Sequence, residues 1–137
     1  EVSGEVRGVT VIDDFAHHPT AVRETIEATR QRFAGRRIVA IFEPRSNTMK
    51  LGTMKAQLPW ALEEADQAFC LQGNYGWDAR EALAPMGAKA AVADKVDVLA
   101  AAVIAAAKPG DHILCMSNGS FGGIHGKLLD GLRRKFG

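Results

Sequence analysis

Two carboxylates and two imidazoles sit in one short run of this chain, Asp13-Asp14-Phe15-Ala16-His17-His18-Pro19. Side chains of these types can ligate zinc, iron or manganese, close a turn ahead of a helix, or face a bound ligand. The three readings differ in what they need. A permanent metal site would need further ligands at a recognised spacing, and no other His or Cys cluster occurs in the chain. The expected number of resident metals is therefore none. Asp is a good helix-capping type, so one Asp can simply close the turn. Asp14 together with one histidine is the pairing expected to meet a ligand.

Two further segments carry recognition chemistry. The first is Glu43-Pro44-Arg45-Ser46-Asn47-Thr48-Met49-Lys50. A guanidinium fork beside hydroxyl and amide groups can grip phosphate or carboxylate oxygens in pairs. The second is Ser117-Asn118-Gly119-Ser120-Phe121-Gly122-Gly123. It is glycine-rich and precedes a helical pattern, so its backbone N–H groups can cradle an anion. Neither Gly-x-x-x-x-Gly-Lys-Ser/Thr nor Gly-x-Gly-x-x-Gly occurs in the chain.

Other reactive types read as structural. Cys70 and Cys115 each lie in an apolar run, outside any Cys-x-x-Cys pair. Burial raises a thiol pKa and makes it inert, and reduced cysteines fit a cytoplasmic setting. His112 opens a strand pattern. His125 begins the last helix and stands close enough to the glycine loop to merit mutation. Trp60, Tyr75 and Trp77 are scattered and read as core or edge packing. Arg36-Arg37 and Arg133-Arg134-Lys135 read as solvated element ends.

The elements that must position these residues alternate along the chain. Strand patterns cover residues 9–13, 37–42, 67–71, 90–93 and 112–116, with a short edge strand at 1–6. Helical periodicity covers 19–33, where Val22, Ile26, Thr29 and Phe33 share a face. It continues over 53–64, 78–83, 95–108 and 124–136. Pro19 suits a first helical position. Pro59 is expected to kink or split the second helix. Gly35 and Gly110 are stop signals. This order predicts an α/β fold, a mostly parallel sheet of five to six strands with helices on both faces. A parallel sheet gathers its strand C-termini on one edge, where open α/β sheets bind ligands. The three polar segments all follow strands and should meet there. Ordinary connections of this kind take about two to six residues, so the second and third exceed what reversing the chain requires.

Bulk properties limit the function classes. At 137 residues the chain suits one domain, residues 1–137, with a core of its own. Its 17 basic and 16 acidic residues leave a net charge of +1. That balance argues against a dedicated nucleic-acid or membrane surface. No apolar stretch approaches the roughly 18 residues of a membrane span. Glu1-Val2-Ser3-Gly4-Glu5 is no signal peptide and is expected to follow a cut inside a longer polypeptide.

Taken together, these residues resemble the C-terminal domain of the Mur ligases, ATP-dependent amide-bond ligases of peptidoglycan synthesis. Asp13-Asp14-Phe15-Ala16-His17-His18-Pro19-Thr20 is similar to the family's Asp-Asp-Tyr-x-His-His-Pro-Thr element, with Phe15 at the Tyr position. Phe42-Glu43-Pro44-Arg45-Ser46-Asn47-Thr48-Met49-Lys50 and Ser117-Asn118-Gly119-Ser120-Phe121-Gly122-Gly123-Ile124-His125 resemble the family's peptide-recycling branch. The resemblance spans essentially the whole chain and implies a Rossmann-like fold. It also implies that a UDP-sugar domain and a central ATPase domain, which would hold most of the ATP and Mg2+, are absent here. By itself this piece should not turn over.

In the recycling branch the partners are UDP-N-acetylmuramate, the murein tripeptide L-alanyl-γ-D-glutamyl-meso-diaminopimelate, and ATP. The resemblance implies catalytic roles for Asp14 and His17, and nucleotide contacts from Asp14, His17 and Arg45. It implies substrate contacts from Arg45, Ser46, Asn47, Thr48, Ser117, Asn118 and Phe121. A UDP-N-acetylmuramate–L-alanine ligase domain, a non-catalytic nucleotide- or peptide-binding module, and a metal-dependent hydrolase built on the Asp and His pairs are the alternative readings.

Overall fold

The structure is a computed structural model that describes residues 2–16, 18–44, 51–73, 77–117 and 121–136, with backbone alone for Ser3 and residues 51–55. Among the described residues six strands form one sheet: β1 (Val2–Val6), β2 (Val9–Asp14), β3 (Ile38–Phe42), β4 (Gln67–Leu71), β5 (Ala90–Ala93) and β6 (His112–Met116). Among the described residues five helices accompany them, the last following β6: α1 (Pro19–Arg32), α2 (Leu51–Leu62), α3 (Ala79–Leu83), α4 (Val96–Ala106) and α5 (Ile124–Phe136). Short 3-10 turns cover Ala84–Lys89 and Phe121–Gly123.

The strand order is β1-β2-β6-β3-β4-β5. Every pairing is parallel except β1 with β2. That hairpin turns on Arg7 and Gly8, with φ of 53° and 77°. Left-handed geometry at both central positions matches the right-handed twist of the two strands. The expectation of a mostly parallel α/β sheet therefore holds.

Alternation along the strands sends successive side chains to opposite faces. On one face Ile12, Ala40, Phe42, Cys70, Leu114 and Met116 pack with Val22 and Ile26 of α1, Leu58 and Leu62 of α2, and Ala82 of α3. On the other, Val11, Ile41, Phe69, Ile113 and Cys115 pack with Leu99 and Val103 of α4 and Leu128 and Leu132 of α5. The central strands β3 and β6 are buried at all five positions. Their apolar runs, covered on both sides, are what a parallel sheet requires.

Pro19 opens α1, and His18 is the residue before it, with no side-chain cap bond. Gly35 and Gly110 adopt φ of 84° and 90°, as stop signals after α1 and α4 should. Of the two outcomes expected at Pro59, a split does not occur: Leu51–Leu62 runs as one helix with the proline inside it. Leu58, Ala61 and Leu62 are fully buried around that proline. Their burial stabilises the final turn despite the missing N–H.

Arg37 also departs from a simple solvated cluster. Its guanidinium makes a forked bond to the buried carboxylate of Asp111, Nη2 lying 2.9 Å from Oδ2, and donates to Ala106 O at 2.7 Å. The carboxylate of Asp111 in turn accepts from the Lys108 N–H at 2.8 Å. This network closes the sheet edge opposite the candidate site.

A candidate ligand edge at the ends of three adjacent strands

The three polar segments follow β2, β6 and β3, which are consecutive neighbours in the sheet. Register brings their last residues level: Asp14 pairs with Met116, and Met116 with Phe42. The ladder continues one step past the strands. Ser117 N donates to Asp14 O at 3.1 Å, and Glu43 N donates to Met116 O at 3.0 Å. The Ser117 hydroxyl then donates to Glu43 Oε1 at 2.6 Å. A hydroxyl–carboxylate bond of that length is charge-assisted and geometrically demanding. Ser117 is therefore the centre of the edge, tied to β2 through backbone and to the β3 loop through its side chain.

Strand parity separates the two aspartates. Asp14 falls in phase with Ile12, on the α1 face, and its Oδ1 accepts from Ala16 N at 2.9 Å. It closes the turn ahead of α1 and does not cap the helix itself. It also borders a cleft of about 410 Å³ shared with Ile12, Thr25, Thr29, Arg32 and Phe33. Asp13 falls in phase with Val11 and registers with Cys115, on the α5 face. There its Oδ1 lies 3.1 Å from His125 Nε2, in the first turn of α5. Burial, and secondarily the same Asp13 charge, push the Cys115 thiol far up. Cys115 and Cys70 are both buried thiols outside any disulfide.

Phe121 enters α5 through an unusual backbone. Phe121, Gly122 and Gly123 have φ of 52°, 59° and 73°, three left-handed residues in succession. Glycine adopts this freely; phenylalanine does so only where its surroundings hold it. The Phe121 ring is fully buried with Ile124, Leu128 and Ile113. It faces the core and fixes the loop from beneath, while Phe15 in the first segment is 74% exposed.

Of the residues singled out in the sequence, Asp14, Ser117 and Phe121 are described and lie at this edge. His17, Arg45, Ser46, Asn47, Thr48 and Asn118 lie outside the described residues. Sequence reasoning gave no weight to Glu43 or to the partnership of Asp13 with His125. Period-two phase puts Asp13, Glu43 and Ser117 on the α5 face, and that signal was available. The pairing of Asp13 with a helix 112 residues away was not. Among the described residues, no group of three or more His, Cys, Asp and Glu side chains is arranged to hold a metal. Nor is any helix among them long and apolar enough to cross a membrane.

Comparison with known proteins decides the family. Residues 1–119 match the family described as Mur ligase, glutamate ligase domain. This chain belongs to the Mur ligase family. Across 98% of its length it is 52% identical to the UDP-N-acetylmuramate–L-alanyl-γ-D-glutamyl-meso-2,6-diaminoheptandioate ligase of Escherichia coli K12. It spans 30% of that relative's length. Among solved structures, a murein peptide ligase of Psychrobacter arcticus superposes with a TM-score of 0.87 at 38% identity. That match covers 97% of this Mur ligase domain and 29% of the larger chain. A Haemophilus ducreyi domain, assigned to a UDP-N-acetylmuramate:L-alanyl-γ-D-glutamyl-diaminopimelate ligase, gives a TM-score of 0.83 at 46% identity. It covers 96% of this domain and 98% of its own chain. UDP-N-acetylmuramate–L-alanine ligases also match across nearly the whole domain, at 37% identity in Streptomyces griseus over 96% of this chain, below the 52% of the Escherichia coli relative.

Proposed function

We propose that this domain belongs to an ATP-dependent ligase that joins L-alanyl-γ-D-glutamyl-meso-diaminopimelate to UDP-N-acetylmuramate, and that its edge over β2, β6 and β3 presents the peptide amine. The supporting observation is the convergence of three loop segments on adjacent strand ends, stitched together through Ser117. The peptide-ligase relatives at 52% and 38% identity support the substrate class.

A free carboxylate does not yield its oxygen to an amine at neutral pH. ATP supplies the activation by moving its terminal phosphoryl group onto that carboxylate, and phosphate then leaves as the amide forms. Such chemistry needs little from the protein beyond orientation and charge placement. Asp14 suits the nucleotide side: Oδ1 is held by Ala16 N, and a second carboxylate oxygen can accept from a ribose hydroxyl or orient the amine. Ser117, anchored to Glu43, suits the peptide side, with Phe121 fixing the loop from below.

The remaining assignments rest on the family resemblance: His17 toward the phosphates or the reacting centre, Arg45 toward nucleotide or peptide carboxylates. Ser46, Asn47, Thr48 and Asn118 line the substrate. Mg2+ and most of the ATP contacts belong to other parts of the full-length ligase, which works in the cytoplasm where ATP is available. The test is ligation by the full-length protein. Asp14→Ala is expected to lower kcat/KM by about a hundredfold with the fold unchanged by circular dichroism. Unaltered turnover would remove Asp14 from the site.

A further inference from the structure

The bond between Asp13 and His125 crosses the candidate edge and has no part in the nucleotide or peptide contacts assigned above. Asp13 is the penultimate residue of β2, next to Asp14; His125 is the second residue of α5, which follows directly on the left-handed Phe121–Gly123 turn. Their contact is 3.1 Å, with side chains 39% and 20% exposed. Buried Phe121 and the bond from Ser117 to Glu43 fix the loop to the core and to β3. The backbone bond from Ser117 N to Asp14 O ties the start of the loop to this turn, and the Asp13–His125 side-chain bond ties the turn to α5 at the loop's far end. Within β2, moving Asp13 moves Asp14, because the two share a peptide bond.

We propose that the Asp13–His125 pair is a positioning device that sets the Asp14 turn in register with the peptide loop, so that the amine meets the activated carboxyl before water does. This rests on the ligase reading above. Each wall keeps its own contacts when the pair is lost, so neither substrate's binding should weaken much. What loosens is their relative placement, to which rate is steeply sensitive. An activated carboxyl left waiting is open to water: water adds to the acyl carbon, phosphate departs, and the free carboxylate returns. ADP then accumulates without amide.

The experiment measures ADP and amide together in full-length ligase given UDP-N-acetylmuramate, tripeptide, ATP and Mg2+. Wild type is expected to form about one ADP per amide. Asp13→Ala and His125→Ala should each raise that ratio above about two and slow amide formation by about tenfold, with both KM values within about twofold. The double variant should be no worse than either single one, since a shared bond is lost only once. Asp13→Asn retains an acceptor for the imidazole N–H and should restore coupling. Partial unfolding would lower the amount of active enzyme without altering the ratio, so the ratio separates positioning from stability. A ratio of one in both alanine variants, or losses that multiply in the double variant, overturns the pair's role. Asp14→Ala serves as the companion control. If it lowers kcat/KM by about a hundredfold while the pair variants match wild type, this inference alone falls; if wild type does not ligate, both fall.

Discussion

At the residue scale, one step along a strand separates two identical side chains into different roles. Asp14 closes the turn over Ala16 on the α1 face; Asp13 reaches His125 on the α5 face. The sequence places both in one charged cluster, and only the period of two assigns them to opposite sides. Ser117 was legible as part of a polar loop. Its partner Glu43 was not, because 74 residues separate them and only the parallel pairing of β3 with β6 brings them together. Ser117→Ala removes the side-chain bond that ties the two loops together. It is expected to raise the tripeptide KM by about fivefold and the ATP KM by less than about twofold, in steady-state assays of the full-length ligase. A larger rise in the ATP KM would move this loop to the nucleotide side.

At the element scale, the alternation of strands and helices was readable because apolar periods of 2 and 3.6 are set by local geometry. The strands at 67–71, 90–93 and 112–116 stand where their patterns put them. Element ends and exceptions were less readable. Pro59 is tolerated inside α2 because burial of Leu58, Ala61 and Leu62 outweighs a local rule. The turn into α5 depends on glycine at two positions for different reasons. Gly123 has open space around it, whereas a Cβ on Gly122, already at φ 59°, would sit 2.8 Å from Val96 Cγ2. Gly122→Ala is therefore expected to cost about 1–2 kcal/mol in urea unfolding of this domain. A cost near zero would mean that the turn re-forms without its left-handed geometry.

At the scale of the whole molecule, the two edges of the sheet do different work. The edge beyond the strand N-termini is closed by the Arg37–Asp111 network and by His112, which is 5% exposed and lies 4.2 Å from the Phe33 ring between centroids. Burial holds the His112 imidazole below its usual range; a hydrogen bond with Gly110 O opposes it, Arg36 adds to the lowering, and Asp111 and Glu5 oppose it more weakly. The folded state therefore favours neutral His112, while the unfolded chain takes up a proton near the ordinary value of 6.5. Below that pH the unfolded state binds more protons, so stability falls as pH drops from 6.5 toward the lowered folded value. The melting temperature should fall more steeply between pH 7.5 and 5.5, taken as rough limits about the histidine range, in wild type than in His112→Phe. Parallel slopes would contradict this. The opposite edge, over β2, β6 and β3, is where this Mur ligase domain is proposed to meet its peptide. The most direct measurement of that claim is kcat/KM of the full-length ligase for L-alanyl-γ-D-glutamyl-meso-diaminopimelate against L-alanine, with UDP-N-acetylmuramate and ATP. The account predicts that the tripeptide is favoured by at least about a hundredfold; equal use of the two, or a preference for L-alanine, would contradict it.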